Sequence, residues 1–371
     1  MTTSADILYL LLRLALHEDA EQDVACAREV EWKSVDWREV CDLGFAHNVA
    51  AIAFDGVLRL YECAPEVDVC LPKGLKMRFV AHQSALESGY VAHAKAVARL
   101  AGFYARHNIP MMLLKGYGLS LHYPQPHHRP CGDMDIWLYG HQQQADDLLR
   151  QHHNVAIDED KHHHTVFHIG GVMVENHYDF LNIHSHRSNR KVEIRLKQLA
   201  RESHRPLMLE GVEVRLPSVE FNALFVLRHA AAHFAAAEIN VRHVLDWALF
   251  VRACAAEIDW PKVRAAAREV GMEQFLNSVN AMSIDLLGFD SELFGPMERN
   301  RELERRVAAD ILHPEFDKSS PREGFVRVWR YRLQRWWTNR WKHRIVYNDS
   351  LVATFFVQMW SHALKPKSIF K

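Results

Sequence analysis

Apolar positions recur with a helical period over the first hundred residues and then switch to a period of two. Ile7, Leu8, Leu11, Leu12 and Ala15 form one stripe behind Ser4, a natural helix cap. A second helix starts near Ser34-Val35-Asp36-Trp37. A third covers residues 49 to 61, with Ile52, Phe54, Val57 and Leu58 inward. Two prolines in residues 65 to 73 read as a linker. A long helix over residues 75 to 107 turns Phe79, Leu86, Val91, Val97, Leu100 and Phe103 inward, and Asn108-Ile109-Pro110 ends it.

The period then changes. An apolar run, residues 111 to 114, stops at Lys115-Gly116, and residues 117 to 123 can form a short helix. A loop marked by Pro124, Pro126 and Pro130 leads to Gly132-Asp133-Met134-Asp135-Ile136-Trp137-Leu138. In a strand, successive side chains alternate between faces. Asp133 and Asp135 therefore share one face, roughly 7 Å apart, while Met134, Ile136 and Leu138 pack on the other. A helix is expected over residues 142 to 152. Next come two β-rich runs separated by Gly170-Gly171, a hairpin signal. Counting outward from that turn, Ile169 pairs with Val172, Val166 with Glu175 and His164 with His177. His164, Val166, Glu175 and His177 should therefore lie on one face. Residues 182 to 189 read as a polar loop, and residues 192 to 196 and 212 to 216 as edge strands or extended loops. From Ser218 the chain is helical again, over residues 221 to 236, 241 to 255, 261 to 270 and 301 to 312. A basic, tryptophan-rich segment covers residues 321 to 347.

This order divides the chain into an N-terminal helical region (1–108), an αβ core (109–216) and a C-terminal helical region (217–371). The fold class is α+β, mostly helical. Composition adds little to that picture. A formal net charge of -1 shows no global bias toward nucleic acid or anionic membrane. The N-terminal apolar run is interrupted by Arg13 and too short to span a bilayer. Six scattered cysteines without C-x-x-C pairs read as reduced thiols in a cytoplasmic protein.

The candidate chemistry starts at Asp133 and Asp135. Two carboxylates on one face repel unless a cation sits between them, and such oxygen ligands suit Mg²⁺ together with substrate phosphates. His162-His163-His164 and His152-His153 invite a zinc reading, but alternation sends His163 to the opposite face from its neighbours. His164 and His177 lining a cleft is the favoured arrangement. His229 and His233 share a helix face at i, i+4, as do Arg242 and Asp246. The favoured reading of these four is a packed network fastening the helical region to the core, with reach toward a nucleotide or acceptor as the alternative. Phe325, Trp329, Leu333, Trp336 and Trp337 are spaced for one packed helix face. The arginines between them also permit nucleic-acid contact.

Several runs resemble a family of largely uncharacterised bacterial nucleotidyltransferases within the DNA-polymerase-β-like superfamily. They are Leu113-Leu114-Lys115-Gly116, Tyr123-Pro124-x-Pro126, Arg129 and Gly132-Asp133-Met134-Asp135-Ile136. Weaker likenesses are Val174-Glu175-Asn176-His177, Leu216-Pro217-Ser218, Leu227-x-His229-x-x-x-His233, Arg242-x-x-x-Asp246-Trp247 and Trp341-Lys342-His343-Arg344. The resemblance implies a small nucleotidyltransferase-type mixed β-sheet core in which Asp133, Asp135 and Glu175 bind two Mg²⁺ ions and a nucleoside triphosphate. It implies transfer of a nucleoside monophosphate, AMP from ATP, to a hydroxyl of a small-molecule, protein or saccharide acceptor. Lys115 and Arg129 are the expected phosphate partners. Backbone N–H groups after Gly116 are the expected cradle, with His164 and His177 beside it. One departure is Lys115-Gly116-Tyr117, where most of the superfamily has Gly-Ser or Gly-Gly; the phosphate-touching serine is missing, and Lys115 stands in for it. A catalytically inactive binding or scaffold protein and an RNA-directed transferase are the alternatives.

Overall fold

The structure is a computed structural model that describes residues 3–159, 163–183, 186–316 and 325–350. Helices α1 (Ser4–Leu16), α2 (Glu21–Arg28), α3 (Trp37–Ala46), α4 (Ala50–Cys63) and α5 (Lys73–Arg106) come first. Strand β1 (Met112–Leu114) runs into the short α6 (Gly116–Ser120), followed by β2 (Asp133–Trp137) and α7 (Gln142–His153). The hairpin β3 (His164–Ile169) and β4 (Val172–His177) leads to α8 (Arg187–Glu202). A second hairpin, β5 (His204–Leu209) and β6 (Val212–Pro217), leads to α9 (Val219–Ala235) and α10 (Val241–Cys254). Helices α11 (Trp260–Glu269), α12 (Glu273–Asp285), α13 (Arg301–Leu312) and α14 (Phe325–Val346) follow. The fold is α+β and mostly helical.

The strands form one six-stranded mixed sheet in the order β3-β4-β2-β1-β6-β5. β1 pairs antiparallel with β2 and parallel with β6, and β2 pairs parallel with β4. The Gly170-Gly171 hairpin takes the register counted from its turn: Ile169 opposite Val172, Val166 opposite Glu175 and His164 opposite His177. Both turn glycines have positive φ, 59° and 81°, the backbone that a two-residue hairpin loop requires.

Alternation in the strands separates two cores. Leu113, Met134, Ile136, Phe167 and Val174 face the second half of α5 and Leu149 of α7. Met112, Leu114 and Trp137 face the opposite way, into a core shared with Phe180 and with Phe221 and Phe225 of α9. That second core also unites the chain's two helical regions, since Ile7 to Leu16 of α1 belong to it together with Phe275 and Leu276 of α12. His17 and Arg13 bond the backbone of Leu287 and Leu286 across 2.7 and 3.1 Å, and Arg252 bonds Leu16 O across 2.7 Å.

Several local expectations change, among them Leu58 of α4, which is 38% exposed rather than inward. Residues 192 to 196 are not extended but lie inside α8. The apparent alternation Val192-x-Ile194-x-Leu196 is broken because Ile194 is 71% exposed, while Val192, Leu196, Leu199 and Ala200 are buried, a helical spacing. The strand expected there is instead His204–Leu209, and α12 was not foreseen at all. On α5, Val91 faces solvent at 53% exposure rather than the core. On α14, Leu333 and Trp337 are 45% and 60% exposed, so the expected packed face is not the one used. Val328, Asn339, Lys342, Ile345 and Val346 are buried instead, a stripe rotated away from the tryptophans. The side chain of Phe325, and the start of that segment at residues 321 to 324, lie outside the described residues, as does His162.

Candidate active site

The β1–α6 turn sets the position of the first cation. Lys115 adopts φ 43° and Gly116 φ 29°, a left-handed turn that is strained for a residue with a Cβ, and strain of this kind gathers where surrounding contacts over-determine it. Those contacts are visible. Lys115 Nζ lies 2.9 Å from Asp135 Oδ1 and 5.9 Å from the ring centre of Phe225 on α9. The lysine thus spans the gap between the sheet and the helical wall.

Parallel pairing of β2 with β4 puts Asp135 directly beside Glu175 and Trp137 beside His177. His177 Nε2 lies 2.9 Å from Asp135 Oδ1 and 3.5 Å from Glu175 Oε2. His164 Nε2 lies 3.6 Å from Glu175 Oε1. Asp135 and His177 are each 2% exposed. Burial alone would push the Asp135 carboxyl up. Lys115 and His177 outweigh burial and hold it below the usual carboxylate range. Burial likewise works against charge on His177, but its bonds to Asp135 and Glu175 carry its pKa up to about 9. Glu175 is lowered, burial being outweighed by His177. Asp133 is raised by burial and then by the charge of Asp135.

Asp135, Glu175 and His177 each offer a ligand atom within 4.8 Å of the others. Asp133 lines the same cleft but is not part of that set. The three expected carboxylates therefore do not close on one point; two of them close around an imidazole. His163, expected on the far face, joins His164 and His177 in another such set. It precedes β3, so strand alternation does not govern it.

Arg129, expected as a phosphate contact, lines the cleft but has its guanidinium paired within the protein. It is 3% exposed, and its fork is engaged by Asp246 of α10, with Nε–Oδ1 2.7 Å and Nη2–Oδ2 2.8 Å. Tyr123 Oη donates to Asp246 Oδ1 at 2.7 Å, and Arg242 stands 3.9 Å from Oδ2. Against burial, Arg129 draws the Asp246 carboxyl down to about 2. This is a fastening between the core loop and α10, the favoured reading of Asp246. His229 and His233 do not belong to that fastening. They face the cleft with His243 of α10, which sequence reasoning missed.

Together these groups line a cleft of about 720 Å³, within the roughly 300–1,000 Å³ of small-molecule sites. One wall is the sheet, with Lys115, Asp133, Asp135 and Glu175. The other is helical, with His229, His233 and His243. Residues 33–288 match the family described as "Uncharacterised nucleotidyltransferase". The chain belongs to that family. Within its span lie both walls of the cleft, from Lys115 to Asp246. No curated protein matches the sequence. Among solved structures, an antigenic nucleotidyltransferase-like protein from Paracoccidioides brasiliensis is similar at 15% identity, covering 56% of this chain and 94% of that one, with a TM-score of 0.35. That superposition is too loose to bear on the site. Among the described residues, no helix is long and apolar enough to cross a membrane.

Proposed function

We propose that this cleft transfers a nucleoside monophosphate, AMP from ATP, to the hydroxyl of an acceptor, with Asp135 and Glu175 as the carboxylates that would hold Mg²⁺ and Asp133 lining the same cleft. The observation that carries the reading is the adjacency of Asp135 and Glu175 on neighbouring parallel strands, facing one cleft with Lys115. The donor set fits the cation, because hard Mg²⁺ takes carboxylate oxygens together with phosphates and water. The chemistry that two such ions supply is polarisation of the phosphoryl oxygens and a lowered pKa for the attacking hydroxyl.

The chain's own residues do the rest. Lys115 Nζ, beside Asp135 and at the mouth of the β1–α6 turn, is placed to meet a phosphate oxygen. The acceptor oxygen attacks the α-phosphorus, the bond from that phosphorus to the bridging oxygen breaks, and pyrophosphate leaves. Glu175, lowered and ionised, takes the hydroxyl proton. His177 holds Asp135 and Glu175 in register from its buried position between them. Lys115 is the cation placed for that phosphate, since the fork of Arg129 is engaged by Asp246.

The test is pyrophosphate release or self-labelling by the full chain with Mg²⁺ and α-labelled ATP, expected in the unsubstituted protein and absent in Asp135→Ala. Absence of nucleotide binding by calorimetry, or equal activity in Asp135→Ala, sinks the reading. A second reading is a non-catalytic binding protein on the same core. Its support is that Lys115 and His177 already neutralise Asp135. It predicts that Asp133→Ala leaves cellular function intact.

A further inference from the structure

We propose that His229, His233 and His243 form a second metal site on the helical wall of the cleft, taking a late first-row divalent cation of the Zn²⁺ class. One ring nitrogen from each imidazole lies within 4.8 Å of the other two. The ring centres are 4.4 Å apart for His229 and His233, 4.9 Å for His233 and His243, and 5.8 Å for His229 and His243. Tetrahedral Zn²⁺ with bonds of about 2.0–2.1 Å holds its nitrogens ~3.3 Å apart. Closing that difference calls for rotation of the imidazoles toward one another. His229 and His233 stand at i, i+4 on α9, one face of one helix. His243 comes from the first turn of α10.

The surroundings suit ligation. Nδ1 of His243 lies 3.0 Å from Asn240 Oδ1. The Asn240 backbone N–H also points at this nitrogen, at 3.2 Å, so Asn240 engages Nδ1 from two atoms. In the tautomer that donates Nδ1–H to Oδ1, Nε2 is free to ligate, with the outer support typical of a ligating histidine. His233 Nδ1 is buried without a hydrogen-bond partner and faces Glu238 Oε2 at 3.8 Å, a carboxylate that can orient it once a metal is bound. No ring nitrogen of His229 has a hydrogen-bond partner among the described residues. Burial keeps all three imidazoles below their ordinary pKa, helped by Lys115 at His229 and His233 and by Arg242 at His243. Neutral imidazole is the ligating form. The two nearby cations are already committed, Lys115 to Asp135 and Arg242 toward Asp246.

The set differs from the sheet wall in kind. Asp135 and Glu175 are hard oxygen donors and suit Mg²⁺; three imidazoles suit Zn²⁺ or Co²⁺. Three protein ligands also leave a coordination position facing the cleft, the arrangement of a reactive rather than a closed structural site. A water or a substrate oxygen would occupy it.

The test is titration of the metal-stripped full chain with Co²⁺, read by visible ligand-field absorption, and competition with Zn²⁺. One equivalent should bind with the intense bands of a four- or five-coordinate site, and Zn²⁺ should abolish them. His233→Ala and His243→Ala should lose the bands, with circular dichroism confirming the fold. Asn240→Ala should weaken binding by about 10–100-fold, the scale for loss of an outer partner. Asp135→Asn and His163→Ala should retain the bands. Should His233→Ala not fold, His229→Asn replaces it. Absence of the bands in the unsubstituted chain overturns the site, as does their loss in Asp135→Asn or His163→Ala with retention in His233→Ala. This readout needs no nucleotide, so it stands or fails apart from the transferase reading.

Discussion

The two walls of the cleft use the same residue type to opposite ends. On the sheet, His177 sits between two carboxylates and its pKa rises to about 9. On the helices, His243 is equally buried, faces Arg242 and His233, and falls to about 3. Burial disfavours the imidazolium in both places. What differs is the charge across from the ring, and that is decided by which strands and helices are packed together. One wall is therefore an ion cluster built around Asp135, and the other a set of neutral donors.

The largest expected effect breaks the ion cluster. Asp135→Asn should cut pyrophosphate release from ATP by on the order of 10³-fold, the scale at which loss of one preorganised electrostatic group is felt. A far smaller loss places the chemistry elsewhere in the cleft. Next comes the fastening that holds the two walls together. Asp246→Ala leaves Arg129 buried and unpaired, which should cost about 3–5 kcal/mol in denaturant unfolding. A cost near zero means the walls are held by apolar packing alone.

The pH dependence should sharpen the contrast with a smaller effect. His177 is raised in the folded state, so its contribution is complete below its ordinary value of 6.5 and fades as pH rises toward about 9. His243 is lowered, so its contribution is complete above 6.5 and fades as pH falls toward about 3. The denaturant midpoint should therefore peak between those limbs. His177→Gln should flatten the alkaline limb and His243→Gln the acid limb. An alkaline limb unchanged by His177→Gln would show that the imidazolium is not what ties Asp135 to Glu175. The smallest effect concerns exposed apolar residues. Ile194→Ser on α8 and Trp337→Ser on α14 should each stay within about 0.5 kcal/mol of the parent protein. The same Trp337→Ser variant tests for RNA contact, since a steep salt dependence lost in that variant would favour an RNA acceptor.

Local pattern carried a good deal of this. The Gly170-Gly171 turn set the hairpin register that places His164, Glu175 and His177 on one face, because a two-residue loop leaves one way to count outward. Alternation put Asp133 and Asp135 opposite the packed Met134 and Ile136. The Ser218 cap was visible ahead of α9, its side chain accepting from Phe221 N–H. Period failed where a run fits two readings, as at Val192 to Leu196, where the exposed Ile194 decides for a helix. His243 was missed because its signal, Asn240-x-x-His243 following His229-x-x-x-His233, joins two helices and has no single period.

By itself, the sequence determined the local elements and the inventory of reactive groups, since turn chemistry and side-chain period act over a few residues. Tertiary structure decided the partners. Asp135 meets Glu175 because β2 and β4 pair in parallel across α7. It meets Lys115 because β1 lies antiparallel beside it. Arg129 is paired with Asp246, 117 residues on. A charge's state depends on what lies a few ångströms away, and for these residues the neighbours come from distant parts of the chain.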